Sequence, residues 1–415
     1  EETPSDDLAC YGLGYAYLRQ GLLDKAEDAF GRVKEASLSL EGLAAVACEQ
    51  AEGNAARTQI VDALGKAKTA YLQTLLGSLD VNATQYQQAA ETLQGAQAGK
   101  FTYQWQKAEC LQALGQAYYH LNQFQQSAQV FDSLRGISPS YVEVADRYIQ
   151  LANNALNEDR RQEVMKKAEE IRKLMASDAT SMEIVDEWTS RPLTFAILPG
   201  DSANSRLAVK SGMADVLPML LGDSLVSRTS MKQVDRDLIN EVLTEQQLSA
   251  LLGSKTKQIQ LGKVLGARLF VRCNFIRYDD NEKLRPQVVD AESTLDVPAD
   301  AISIPLQSGL DETASAVAES VWNAVKESYP LQGRLTVKDG QAEINIGSKV
   351  GVVQGARFSV LMKPGQAELP NRAVLGDGPV GEDSTTVRLE GFSVDEIPAE
   401  GWSVKGELGS RQEGQ

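Results

Sequence analysis

One pattern occurs twice in the first third of the chain and narrows its fold more than any other feature. Residues 8–40 contain Leu13-Gly14, Ala16-Tyr17, Gly21, Ala26, Phe30 and Val33, and residues 109–141 contain Leu114-Gly115, Ala117-Tyr118, Asn122, Ala128, Phe131, Leu134 and Pro139. Aligning Gly14 with Gly115 superposes nearly all of them, and such internal self-similarity points to a repeat architecture. The residue types have a physical reading. A glycine at 14 or 115 lets two helices approach closely, and Tyr17 with Phe30, or Tyr118 with Phe131, fills the space between them.

These residues resemble the tetratricopeptide repeat, whose unit is two antiparallel helices. The second copy departs from that family at Ser127, where alanine is preferred, and the first at Leu38, where proline is usual. Weaker helix pairs are expected at 39–52 with 55–68, 69–79 with 84–97, and 139–156 with 158–175. Five pairs would make a right-handed solenoid over 5–176, and the chain up to 176 is rich in Ala and Gln with only Pro4 and Pro139 against helix formation.

The texture changes at Trp188-Thr-Ser-Arg-Pro192, inside an expected linker at 177–192. Leu193–Leu198 reads as a buried strand stopped by Pro199-Gly200, followed by a helix at about 205–221 and a second strand at Asp223–Ser227. Helices are expected at 235–252 and 258–265. A long strand is expected at Arg268–Tyr278, a turn through Asp279–Glu282, strands at Leu284–Asp290 and 301–306, and a helix at Asp311–Ser328. Strands mixed with helices imply an α/β sandwich domain over 193–330. After Tyr329-Pro330, short glycine-punctuated strands at 333–337, 341–346, 357–362, 386–389 and 402–405 imply a small all-β, barrel-like domain over 331–405. The polar tail 406–415 reads as disordered. The fold class is thus multidomain: an all-α helical-repeat solenoid at 1–176, then α/β, then all-β.

Composition excludes some functions. At 415 residues the chain exceeds what one core supports, in line with several domains. Its net charge is −16, and residues 1–176 (17 basic, 23 acidic), 177–330 (15, 22) and 331–415 (9, 12) are all acidic. A nucleic-acid partner, which needs clustered Lys and Arg, is not expected. No apolar run approaches the roughly 18–20 residues of a membrane-spanning helix. The start at Glu1-Glu2-Thr3-Pro4 without Met leaves open a processed signal or a lipid anchor upstream. Cys10, Cys48, Cys110 and Cys273 are widely spaced, with one histidine in the chain, so zinc is not expected. They read as buried free thiols, with a Cys10–Cys48 bridge left open.

The middle segment resembles the curli-secretion CsgG/HfaB family, related to the amino-terminal domain of TolB and to LpoB-type lipoproteins. The residues that carry this are Phe195-Ala-Ile-Leu-Pro199, Val234-Asp235-Arg236, Glu245-Gln246 with Leu248, and Leu265-Gly266-Ala267-Arg268-Leu-Phe-Val271, where Arg268 stands in place of the family's acid. The last domain resembles the carboxy-terminal domain of the flagellar protein FlgT through Gly333, Ile344-Asn-Ile-Gly347, Gly351-Val352, Gly355 and Phe358. A pore of the CsgG type needs transmembrane hairpins of about 9–11 residues per strand with one apolar face. The hairpin at 268–290 instead carries Arg272, Arg277, Asp279, Asp280, Glu282, Lys283 and Arg285.

Enzymatic motifs are weak. Gly376-Asp377-Gly378-Pro379-Val380-Gly381 satisfies the dinucleotide pattern literally, but Pro379 and a β-rich segment follow where a helix is required. Gly253-Ser-Lys-Thr256 lacks the glycine-lysine pair of a phosphate loop. A Ser–His–Asp triad could be built only on His120, which ends a repeat helix far from any nucleophile. No catalytic, cofactor or metal residue is expected. The repeat's groove positions fall on Leu8, Tyr11, Tyr15, Leu18 and Arg19 in one copy and on Glu109, Gln112, Gln116, Tyr119 and His120 in the other; tyrosine-rich grooves suit a peptide or partner helix. Asp235, Arg236, Glu245, Gln246 and Gly266 are read as fold signatures. The resemblances imply a non-enzymatic periplasmic protein of a Gram-negative envelope, outer-membrane associated. It would serve as a scaffold or accessory lipoprotein in assembling or exporting a surface structure, binding envelope partners through its solenoid, with homo-oligomerisation open. An LpoB-like activator of a peptidoglycan synthase and a CsgG-type secretion channel are the alternatives.

Overall fold

The computed structural model describes residues 6–50, 54–137, 139–157, 162, 164–166, 169, 188–198, 200, 212–234, 266–278, 281–300, 302–303, 309–338, 341–392 and 402–408. Two compact units are present: Glu1–Arg161 with Ser202–Val216, and Gln162–Asp201 with Leu217–Gln415.

The first unit is a succession of helices: α1 (Asp6–Arg19), α2 (Leu23–Gly31), α3 (Ala36–Gln50), α4 (Asn54–Lys66), α5 (Ala70–Asn82), α6 (Tyr86–Gln97), α7 (Gln104–His120), α8 (Phe124–Arg135), a 3-10 turn at Pro139–Tyr141 and α9 (Val142–Leu156). Glycines set the spacing within pairs. A Cβ on Gly14 would stand 2.5 Å from the Phe30 ring, and one on Gly115 would stand 2.6 Å from the Phe131 ring. Gly77 and Leu93 repeat this relation in the pair α5–α6, where a Cβ would collide with Leu93 Cγ. The turns repeat as well. Seven residues after each of these glycines, Gly21, Thr84 and Asn122 adopt φ of 73°, 58° and 58°. The next amide closes the helix end in each copy, from Leu22 to the Tyr17 carbonyl, from Gln85 to Asp80 and from Gln123 to Tyr118, at 2.8–3.0 Å. Ser127, the departure from the family's alanine, is fully buried and donates to the Gly115 carbonyl at 2.9 Å.

Thr84 is the strained member of this series, because a β-branched residue with positive φ is sterically disfavoured by roughly 1–2 kcal/mol. Its side chain is exposed. Thr84→Gly is therefore expected to stabilise the repeat region by about 0.5–1 kcal/mol, the gain being trimmed by the entropy glycine carries in the unfolded chain. Urea denaturation followed by circular dichroism checks this; an unchanged or lowered midpoint would count against it.

The second unit contains a mixed sheet in the order β2-β1-β3-β4-β5, with β6 also on β4. Its strands are β1 (Thr194–Leu198), β2 (Lys232–Gln233), β3 (Leu269–Tyr278), β4 (Asn281–Asp290), β5 (Asp296–Val297) and β6 (Ile302–Ser303). β1 runs parallel to β2 and β3, and β3 pairs antiparallel with β4 from Leu269↔Asp290 to Tyr278↔Asn281. Asn281 and Glu282, expected in the turn, are therefore paired strand residues. Segment 223–227, expected as a strand, lies inside helix α10 (Met213–Arg228). There Leu217, Leu220, Leu221 and Leu225 are buried at helical spacing, and that stripe overrides the short alternation of Leu225 and Val226 with serines. Helix α11 (Leu310–Ser328) buries Leu310, Ala314, Val317, Val321 and Val325 and packs on β4 and β5.

The last strands close a barrel in the order β10-β11-β8-β7-β12-β9, formed by β7 (Leu331–Lys338), β8 (Gln341–Ile344), β9 (Arg357–Leu361), β10 (Ala373–Leu375), β11 (Thr385–Glu390) and β12 (Trp402–Gly406). Leu331, Leu335, Ile344, Phe358, Val360, Val374 and Val404 are buried at its strand positions. The expected strands appear here with β10 added, and Gly376–Gly381 lies in the connection from β10 to β11, where no helix follows. None of the four cysteines is in a disulfide, so Cys10 and Cys48 are not bridged. Asp235, Arg236, Glu245 and Gln246, the helices expected at 235–252 and 258–265, Gly253–Thr256 and the tail beyond 408 lie outside the described residues. Gly266 precedes β3 with φ of 63°.

Candidate functional site

Helices α3, α5 and α7 line a groove in the first unit. Cys48 and Glu49 come from α3, Leu75, Ser78 and Asn82 from α5, and Glu109, Gln112, Ala113 and Gln116 from α7, around a cavity of about 50 Å3. The α7 positions recur at 109, 112, 113 and 116, one stripe of a 3.6-residue helix. Glu109 is held by Tyr71, whose hydroxyl donates to its Oε2 at 3.0 Å, and Gln116 donates through Nε2 to the Tyr148 hydroxyl at 3.3 Å. Carboxylates and amides thus border the groove while Leu75, Leu79 and Val81 supply its apolar wall.

The expected groove residues of the second copy divide into two groups. Glu109, Gln112 and Gln116 share the groove. Tyr119 packs edge-on against Phe124 and Tyr148, and His120 stacks on Tyr86 at 4.4 Å with its Nε2 3.2 Å from Asp215 Oδ2. Tyr148 also donates to Asp215, at 2.5 Å. His120 is therefore engaged with a carboxylate and two tyrosines, with no serine or cysteine nucleophile among these contacts.

The first copy departs from the groove expected of it. Tyr11 is fully buried and Tyr15 nearly so, and neither offers a surface to a partner. Their rings join Phe30, Tyr71, Tyr103 and Trp105 in one aromatic cluster, with Tyr15 and Trp105 4.7 Å apart. The Tyr11 hydroxyl donates to Glu41 Oε2 at 2.7 Å and accepts from Gln106 Nε2 at 2.9 Å. The start of α7 therefore covers the inward face of α1. Burial first, then the charges of Tyr15 and Glu41, pushes the Tyr11 phenol far above its ordinary value. Leu18 is half-buried, Arg19 is exposed with its guanidinium 5.7 Å from the Trp105 ring centre, and Leu8 is exposed.

Sequence reading missed Cys48, Glu49, Ser78 and Asn82. The spacing Gly77, Thr84, Leu93 repeats that of Gly14, Gly21, Phe30 and places α5 in the series. Nucleophilic chemistry finds no poised thiol among the buried cysteines: burial pushes Cys110 up to about 11 and Cys273 up to about 12. Among the described residues, no group of three or more His, Cys, Asp or Glu could hold a metal ion, and no helix is long and apolar enough to cross a membrane.

No family model matches the chain, and no curated protein does. Among solved structures, TolB from Acinetobacter baumannii is similar at 12% identity and a TM-score of 0.23, over 48% of this chain and 39% of that one.

Proposed function

We propose that the chain is a non-enzymatic cell-envelope protein, a scaffold or accessory factor in assembling or exporting a surface structure, and that it docks envelope partners through the inward face of its helical repeats. The observation that carries this reading is the groove bordered by the accessible side chains of Glu49, Ser78, Asn82 and Glu109, while Gln112 and Gln116, which also line it, are buried. Side-chain amides and hydroxyls beside an apolar wall suit an extended segment, whose backbone needs hydrogen bonds and whose alternate side chains need pockets. Two bordering glutamates on a chain of net charge −16 favour a segment carrying basic residues. A periplasmic, outer-membrane-associated location belongs to the same reading.

A photo-crosslinking residue at the exposed position 82, introduced in intact cells, is expected to capture an envelope protein. Ser78→Trp, which fills the groove, is expected to reduce that adduct by about tenfold, the effect of blocking a central contact. A chain that fractionates with the cytoplasm and captures nothing would sink the proposal.

A further inference from the structure

A polar cavity of about 300 Å3 opens in the second unit where β3 begins and β4 ends, and its wall includes Trp188, Ser190, Arg191, Arg268, Tyr329 and Gln332. That volume is in the range of small-molecule sites and well beyond the needs of a bridging water. Arg268 is fixed at its rim by the sheet: its amide donates to the Thr194 carbonyl at 3.0 Å, and its carbonyl accepts from Ala291 at 2.8 Å. The guanidinium carbon lies 4.8 Å from the centre of the Tyr329 ring, a cation–π contact that orients the fork without using its N–H groups. Arg268 Nε is buried with no hydrogen-bond partner.

The neighbouring carboxylates spend their hydrogen-bonding capacity on other groups. Asp290 Oδ2 stands 3.9 Å from Arg268 Nε, an ion pair that is beyond hydrogen-bond reach. Its oxygens already accept from Ser293 N–H at 2.6 Å, Glu292 N–H at 2.9 Å, the Ser293 hydroxyl at 3.0 Å and the Tyr329 hydroxyl at 2.5 Å. Glu292 pairs with Arg191 at 2.8 Å. Among the described residues the Arg268 guanidinium donates no hydrogen bond, and the Gln332 carboxamide makes none. A planar, five-donor cation held at a cavity by its face matches a carboxylate, which accepts two parallel N–H bonds.

We propose that this cavity binds a small molecule bearing one free carboxylate, held by Arg268 and by the Gln332 carboxamide. A single negative charge fits better than two, because Asp290 and Glu292 already place negative charge beside the site, and a phosphate dianion would add repulsion from both. Trp188, fixed by donating Nε1–H to the Gly333 carbonyl at 3.2 Å, walls the space for the rest of the molecule.

Calorimetric titration of the full chain with acetate, alanine and inorganic phosphate tests this. Acetate or alanine is expected to bind at one site, and Arg268→Gln to weaken that binding about tenfold or more, as loss of a charged hydrogen bond requires, with partial recovery in Arg268→Lys. Gln332→Leu, which leaves the Arg268–Tyr329 contact intact, is expected to weaken it by about threefold to tenfold and decides the matter if Arg268→Gln does not fold. The proposal is overturned if neither carboxylate binds at up to about 50 mM, if the Arg268→Gln and Gln332→Leu proteins bind unchanged, or if phosphate binds as tightly as the carboxylates.

Discussion

Phe131→Ala is expected to lower the stability of the helical repeats by about 4 kcal/mol, the cost of emptying a fully buried phenyl site. Phe131 has no exposed surface and stacks on Tyr148 with ring centres 4.3 Å apart and planes within 7°. The ring lies over Gly115, where an added Cβ would approach within 2.6 Å. The reverse change, Gly115→Ala, separates local propensity from packing. Alanine favours the helix by up to about 1 kcal/mol, whereas overpacking costs about 1–3 kcal/mol, so a net loss is expected. Combining the two changes removes the clash, because the methyl then enters space the phenyl has left. The double variant is expected to be more stable than the sum of the single effects by about 1–2 kcal/mol, the coupling of residues in contact. Urea denaturation of the four proteins measures it. Strict additivity would mean that the glycine is not there to admit the ring.

The same relation explains what the sequence made visible. Gly14 with Phe30 and Gly115 with Phe131 stand out because glycine inside a helix is costly and an aromatic partner at fixed spacing accounts for it. The copy in between was fainter because Leu93 replaces the aromatic residue and Thr84 replaces the turn's Gly or Asn, although the backbone does the same thing there. Local patterns also misled. The stretch around Leu225 reads as strand only when the leucines at 217, 220 and 221 are left out of the window.

The candidate groove was legible where its residues share one helix, since Glu109, Gln112 and Gln116 follow helical spacing. It was not legible at Tyr11 and Tyr15. Whether those rings face a groove or a neighbour depends on how tightly successive pairs curl, and their covering residues, Tyr103, Trp105 and Gln106, lie far along the chain. Arg268 showed in the sequence only as a departure from a pattern. Its unused donors become apparent once the turn after β4 has taken up Asp290.

Asp290→Ala is expected to destabilise the second unit by about 3 kcal/mol at pH 7, because it leaves a Tyr329 hydroxyl and two turn amides without an acceptor. Asp290→Asn keeps the acceptor at Oδ1 and a polar atom opposite Tyr329, so its cost is expected near 1 kcal/mol. The two differ most in their response to acid. Burial works against the Asp290 carboxylate, but the bonds from the Ser293 amide, the Tyr329 and Ser293 hydroxyls and the Glu292 amide outweigh it and hold the carboxyl below its ordinary value. A group whose folded value is depressed binds its proton more readily in the unfolded chain, so its stabilisation is present above the unfolded value near 3.9 and is lost as pH falls through the lower folded value. The native protein is therefore expected to lose its advantage over Asp290→Asn below about pH 4, where the protonated carboxyl comes to resemble the amide, while its advantage over Asp290→Ala narrows without closing. Denaturation midpoints of the three proteins between about pH 2.5 and 7 provide the comparison. A gap between native and Asn proteins that stays constant over that range would show that the Asp290 charge contributes nothing to the turn, and the geometry around Tyr329 would then rest on shape alone.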